Sequence, residues 1–583
     1  MRRTWTKRAS VLLMGLLLLT GTGVDLAIQG KASARSAQPA KHVLLLSVDG
    51  LHQSDLTWYV SAHPVSALAT LVKQGVDFTN AKTPFPSDSF PGMTAIMTGG
   101  NPKSTGIYYD DSYNRALFPA AGYAKDGTPN PLHDCSKLTP GAEVTYFEAL
   151  DKQPLALDAG QGLSGLPATI LALTPDAASL IDPQQLPRDA NCDVVYPHQY
   201  LKVNTIMDVA HAKGMVTAWS DKHPAYELIS GQAGTSVTDF FTPEINSNAN
   251  QAGQDWTKDN VLTRMYDAYK VDAVINWING YDHSGTKKQE TPAIFGMNFQ
   301  TVSTAQKLPV SSGSTPGVTL AGGYEADGVT PGPLLQEALQ FVDEQVGHMV
   351  DALKADGLDQ STAIVLTAKH GQSPQQGTAL TRIKDGTIID QLNAAWAAKH
   401  PDNKQLAVFS INDDGMMIWL SDRSDAAQTF AKQFLIDYHG DGTGTDGQAT
   451  ATDIQGNPKA YTQAGNADIY AGKDAAAYMG VPFDDVRVPD LIGVAQVGTV
   501  YTGGKGKISE HGGANPQDQN VPIVVSGGPV QPGGLNASPV ETTQVAPTIL
   551  QLLGLDPNAL QAVQSEHTQP LPFGASPGAT PAA

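Results

Sequence analysis

Apolar and polar positions follow two rhythms along this chain. Short runs rich in branched residues, at 43–48, 216–219, 273–278, 363–367, 491–500 and 521–526, have the length of strands. Strands buried on both faces need no polar side, so they read as continuous apolar runs. Between them Leu335, Leu339, Val342, Val346, Met349, Val350 and Leu353 recur at helical spacing, which predicts a helix lying against a sheet. Strands alternating with helices predict an α/β fold, a mostly parallel central sheet with helices on both faces. A last helix near 543–553 closes the domain, with Pro547 marking its first turn.

The rhythm is interrupted twice. Residues 374–489 are richer in Asp, Gly, Gln and Ala and carry their own short apolar runs at 406–411 and 416–420, so they read as an inserted cap. Residues 111–200 are rich in Pro and Gly with few periodic runs, and read as a loop-dominated elaboration. The core is then 41–373 together with 490–560, and the tail 566–583 has too little apolar content to fold. No repeat with a period of 20 to 50 residues is visible.

The start of the chain has another pattern. MRRTWTKR, the apolar run 11–19 and Ala32-Ser33-Ala34 have the basic, apolar, small-residue order of a signal peptide over 1–34. The run is far shorter than the ~20 apolar residues of a membrane span. A secreted or periplasmic protein with no membrane association after signal removal is expected, by either the general or the twin-arginine route. Residues 1–34 hold five basic residues and one acidic, so losing these four net positive charges moves the formal charge from −20 to −24. An acidic surface argues against nucleic acid as a bulk partner, but a small phosphorylated substrate is compatible with a local metal charge. Cys135 and Cys192 are the only cysteines. An oxidising compartment would pair them, and two structural thiols are the alternative.

Ligands of open parallel sheets bind beyond the carboxyl ends of the strands. Polar residues follow the predicted strands at Asp49, at Asp282-His283, at Lys369-His370 and, near the last pair, at Glu510-His511. Any one of these reads equally well as a turn or a surface histidine. Four together predict oxygen and nitrogen ligands converging on one edge. Ser89, in Pro86-Ser87-Asp88-Ser89-Phe90-Pro91-Gly92, stands ahead of a helical run. It reads as a helix cap whose positive end would favour an alkoxide or a phosphate oxygen.

Taken together, these segments resemble the alkaline phosphatase superfamily, and within it the nucleotide pyrophosphatase/phosphodiesterase branch. SVDG resembles the family's metal aspartate, and FPSDSFPGMTAIMTGGNPKSTGI its nucleophile segment, with Ser89 where many members have Thr. FVDEQVGHMVDALKADGLDQSTAIVLTAKHGQSP, ISEHGGANPQDQNVPIVVSGG and VETTQVAPTILQLLGLDP resemble the later helix, the histidine loops and the closing helix. The likeness covers some 250 residues of core but neither the cap nor 111–200.

The resemblance implies two divalent metal ions, zinc in the family. Asp49, Ser89 and His370 would hold the first, and Asp282 and His511 the second. Lys369 stands where the family has Asp, and Thr286 stands where the histidine four residues after the Asp282 position belongs; His283 is the candidate replacement. Lys369 leaves three readings open: it points away, it replaces a metal's charge as a catalytic cation, or it abolishes the second metal. Glu510 could supply the lost carboxylate. The implied activity is a phosphodiesterase-like hydrolysis through a phosphoseryl intermediate on Ser89. Phosphomonoesterase, sulfatase or a non-catalytic phosphate-binding module are the alternatives.

Overall fold

The computed structural model describes residues 39–131, 134–163, 169–249, 254–504 and 506–573. The expected signal peptide, 1–34, and the end of the tail, 574–583, lie outside the described residues. Among them no helix is long and apolar enough to cross a membrane.

The central sheet uses eight strands. In chain order they are β1 (His42–Val48), β2 (Val76–Phe78), β3 (Ala218–Ser220), β4 (Asp239–Phe241), β5 (Ile294–Phe299), β6 (Thr362–Thr367), β7 (Val524–Gly527) and β8 (Gly534–Asn536). Their spatial order is β8-β2-β7-β6-β1-β5-β3-β4. The five strands from β6 to β4 run parallel, and β7 is antiparallel to both its neighbours, so the sheet is mixed. β1 sits in the middle with six of its seven residues buried. Leu44, Leu46 and Val48 enter one apolar cluster, and Val43 and Leu45 the other, the two-residue alternation of a strand covered on both sides.

Helices cover both faces. On the Leu44 side lie α2 (Asn260–Ile278) and α3 (Pro333–Ala355), through Tyr266, Val274 and Trp277 and through Leu335, Leu339, Val342, Val346 and Met349. On the Val43 side lie α1 (Ser89–Thr98) and α4 (Val545–Leu552), through Phe90, Met93, Met97, Ile549 and Leu550. Pro547 is in the first turn of α4, as its fixed φ suits.

Three readings of the sequence need correction. The run 273–278 is no strand but the last part of the 19-residue α2; a short apolar run does not by itself separate a buried strand from a buried helix. The strand in its place is β5, which begins at Ile294. The run 491–500 does not join the central sheet: Leu491–Ala495 pairs with Gly415–Leu420 and Asn466–Ala471 in a four-stranded antiparallel sheet. That sheet joins residues on both sides of position 489. Finally, the tail stays packed to 573: Glu566 accepts from the Asn101 amide at 2.8 Å, Leu571 is buried, and Phe573 meets Phe78 edge-on at 6.1 Å. In the elaboration, Cys135 and Cys192 form a disulfide.

Candidate functional site

A cleft of about 730 Å³ opens at the carboxyl edge of the parallel strands. Ser89, Lys222, His223, Gln300 and His511 line it. Ser89 is the first residue of α1; the cap is Asp88, whose carboxylate accepts from the Phe90 amide at 3.3 Å, so the expected capping role of Ser89 falls to its neighbour. Freed from capping, the Ser89 hydroxyl points at the strand ends. The close approach of α1 depends on Gly92, where a Cβ would stand 2.1 Å from the Lys369 carbonyl oxygen.

Around Ser89 the strand ends supply charge. Oγ receives a hydrogen bond from Nζ of Lys222 at 2.9 Å, and lies 3.3 Å from Nε2 of His370. The Nδ1 of His370 lies 2.9 Å from the Gly371 carbonyl, which can only accept. Nδ1 therefore carries a proton, and in the neutral ring the lone pair of Nε2 faces Ser89. Asp49, which follows β1, is fully buried. Its Oδ2 accepts from Nε2 of Gln300 at 2.6 Å and lies 3.4 Å from Lys222, 3.6 Å from Lys369 and 3.7 Å from His370. Burial would raise this carboxyl, yet the Lys369 and Lys222 ammoniums hold it well below the usual carboxylate range. Lys222 shows the converse. Burial opposes its charge, but Asp49, Asp221 and Asp88 raise its pKa above the ordinary value.

Lys369 does not point away. Its ammonium is buried, 3.2 Å from Asp221, 2.8 Å from the Tyr226 hydroxyl and over the Tyr226 ring at 4.4 Å. Burial lowers its pKa, against the pull of Asp221 and Asp49. His511 packs on His370 with ring centroids 3.9 Å apart and places Nδ1 3.1 Å from Asp88. Burial and His370 hold it well below the ordinary histidine value. Glu510 is engaged elsewhere, paired with Lys307 at 2.7 Å and with Lys507.

Asp49, Ser89, Lys369, His370 and His511 thus come together. Asp282 and His283 do not. They follow α2 and precede β5, whereas the cleft lies beyond the far end of β5. Asp282 closes a turn by accepting from Ser284 Oγ and the Thr286 amide. His283 is held by Asp239, the first residue of β4, and by the Leu173 carbonyl. The residues that follow β5 into the cleft are instead Gln300 and Thr304, at the four-residue spacing expected of the family's aspartate and histidine. Neither bears a charge. The sequence reading also missed Asp221, Lys222 and His223, which follow β3. The rule that polar residues after strands form the site would have found them, since the run 216–219 was read as a strand.

Two zinc ions do not fit these residues. Two ammoniums stand against Asp49, one of them also on Ser89, where ligands would have to surround a cation. Among the described residues, the one group that brings three ligand atoms within 4.8 Å of one another is Glu148, His223 and Glu244, of which Glu148 and His223 line the same cleft.

Comparison with known proteins agrees with this architecture. Residues 43–518 match the family model of type I phosphodiesterase / nucleotide pyrophosphatase. No curated protein matches the chain in sequence. Among solved structures, wild-type alkaline phosphatase PafA superposes with a TM-score of 0.54 at 13% identity, over 89% of this chain and 96% of that one. A phosphonoacetate hydrolase from Sinorhizobium meliloti 1021, in complex with phosphonoformate, gives 0.47 at 14% identity over 88% and 96%. Human ectonucleotide pyrophosphatase / phosphodiesterase 5 gives 0.47 at 13% over 88% and 95%.

Proposed function

The chain belongs to the type I phosphodiesterase / nucleotide pyrophosphatase family, and on that premise we propose that this phosphoester hydrolase cleaves phosphodiesters through a phosphoserine on Ser89, formed without the two metals of the resemblance. What supports the reading is one arrangement: Ser89 Oγ lies between the Lys222 ammonium at 2.9 Å and Nε2 of His370 at 3.3 Å.

Ser89 Oγ attacks phosphorus, and its proton passes to Nε2 of His370. The Asp49 carboxylate, 3.7 Å from that nitrogen, favours the resulting imidazolium. Lys222 and, behind Asp49, Lys369 supply the positive charge that attack requires. The bond from phosphorus to the leaving oxygen breaks, and the imidazolium returns its proton to that oxygen. In the second step His370 takes a proton from water, the hydroxide displaces Ser89 from phosphorus, and the proton goes back to Ser89. Two in-line displacements leave configuration at phosphorus retained. Diesters are preferred on the ground of the family; a small phosphorylated molecule fits a cleft of this size.

Export to a secreted or periplasmic location belongs to the same reading, supported by the Cys135–Cys192 disulfide, a bond of oxidising compartments. Fractionation with N-terminal sequencing of the mature protein tests it. The hydrolase reading is tested with bis-p-nitrophenyl and mono-p-nitrophenyl phosphate in the presence of a chelator. Ser89→Ala is expected to lower turnover by about 10³-fold or more, and mass spectrometry of the quenched wild-type reaction to find phosphate on Ser89. Undiminished turnover by the variant would remove Ser89 as nucleophile.

A further inference from the structure

The other end of the cleft carries charge that the proposed reaction does not use. Glu244 follows β4 and is fully buried. His223 follows β3, is 4% exposed, and places Nδ1 2.9 Å from both carboxylate oxygens of Glu244. Glu148 comes from the loop-rich elaboration and reaches over the same spot, its Oε2 accepting from Asn246 Nδ2 at 2.7 Å. The ligand atoms of these three residues lie within 4.8 Å of one another, as donors at about 2.0 to 2.2 Å around one zinc ion do.

A fourth residue points to what is missing. Asp151 is 3% exposed, its carboxyl abuts that of Glu244, and no donor other than a proton shared with Glu244 meets its oxygens. Buried carboxylates are ordinarily hydrogen-bonded, paired or bound to a metal. The nearest ammonium, Lys222, is committed to Ser89 and Asp49. Two carboxyl groups and one imidazole therefore converge, backed by a third carboxyl, with no ammonium committed to them.

We infer that Glu148, His223 and Glu244, with Asp151 behind Glu244, hold one divalent metal ion of the class that accepts mixed imidazole and carboxylate ligands, zinc or manganese. Two ligands come from the ends of adjacent core strands and one from the elaboration, so the ion would tie that elaboration to the sheet. Because Glu148 and His223 line the cleft, the ion is accessible from the side on which substrate enters. The site is separate from the family positions at Asp49, His370 and His511.

The full-length protein, stripped with chelator, is titrated calorimetrically with Zn²⁺ and with Mn²⁺, and metal content is measured by elemental analysis after dialysis. One equivalent is expected in the wild type. His223→Ala and Glu244→Gln should weaken binding at least tenfold and Asp151→Asn less, while His511→Ala leaves the stoichiometry at one. Glu148→Gln, at a partly exposed position, serves if a buried variant does not fold. The inference is overturned if the stripped wild type binds neither ion up to millimolar concentration, in which case Asp151 and Glu244 share a proton. It is overturned equally if His511→Ala abolishes binding and Glu148→Gln or Glu244→Gln does not.

Discussion

The two ends of the cleft stand on the same sheet edge and balance their carboxylates differently. At the serine end Asp49 is bracketed by the ammoniums of Lys222 and Lys369, and Asp221 pairs with Lys369. At the acidic end Glu148 and Glu244 gather about His223, and Asp151 abuts Glu244, with no ammonium committed to them. The dividing line is one segment, Asp221-Lys222-His223, which leaves β3 and sends Asp221 and Lys222 to the serine end and His223 to the acidic one. A single strand end thus serves two sites. The comparison teaches that the scaffold fixes where polar groups converge, while the residues placed there decide whether the positive charge is a fixed ammonium or a bound ion.

Removing the cation at the serine end gives the largest change. Lys222→Met should lower kcat by about 10² to 10³-fold, the usual loss for a group that stabilises developing oxyanion charge, and leave the metal content of the acidic end at one equivalent. Steady-state kinetics beside elemental analysis checks it; parallel loss of both would show that the two ends are not independent.

The elaboration can be loosened without touching either end. The Cys135–Cys192 disulfide closes a 57-residue separation, so replacing both cysteines with serine should cost about 4 kcal/mol by the chain-entropy model, seen in chemical denaturation. Because Glu148 and Asp151 ride on this segment, metal affinity should fall before turnover does.

A buried carboxylate outside the cleft gives the smallest effect and a control for both ends. Asp77 in β2 accepts one hydrogen bond, from Nε2 of Gln53 at 3.1 Å, and burial pushes its pKa from 3.8 up to about 6. A raised folded value means that folding favours the protonated form. Its contribution is fully present below pH 3.8 and is lost as pH rises through about 6. Asp77→Asn, which cannot ionise, should therefore be stabilised relative to the wild type at pH 8 by at most about 3 kcal/mol, with the difference shrinking toward pH 4. Thermal unfolding at the two pH values decides it; an equal shift at both would rule out ionisation as the cause.

Much of the core was legible. β1 and β6 announce themselves as branched apolar runs, and the buried stripe of α3 recurs at helical spacing. Asp49, Ser89 and His370 follow from strand ends and a helix start. The exchange of β5 for the end of α2 was not legible, because 273–278 and 294–299 are equally apolar, and only neighbouring strands choose between them. That exchange drew attention to Asp282 and His283 and away from Gln300.

The sequence by itself determined the α/β class, the family and the serine, since apolar period and local motif are written along the chain. Tertiary structure alone decided which charges meet. Lys222 lies 133 positions from Ser89, and Glu148 lies 96 positions before Glu244. No local pattern couples residues so far apart. Their pairing is set by strand order, β1-β5-β3-β4, and by how closely α1 approaches the sheet, both of which follow from packing over the whole core.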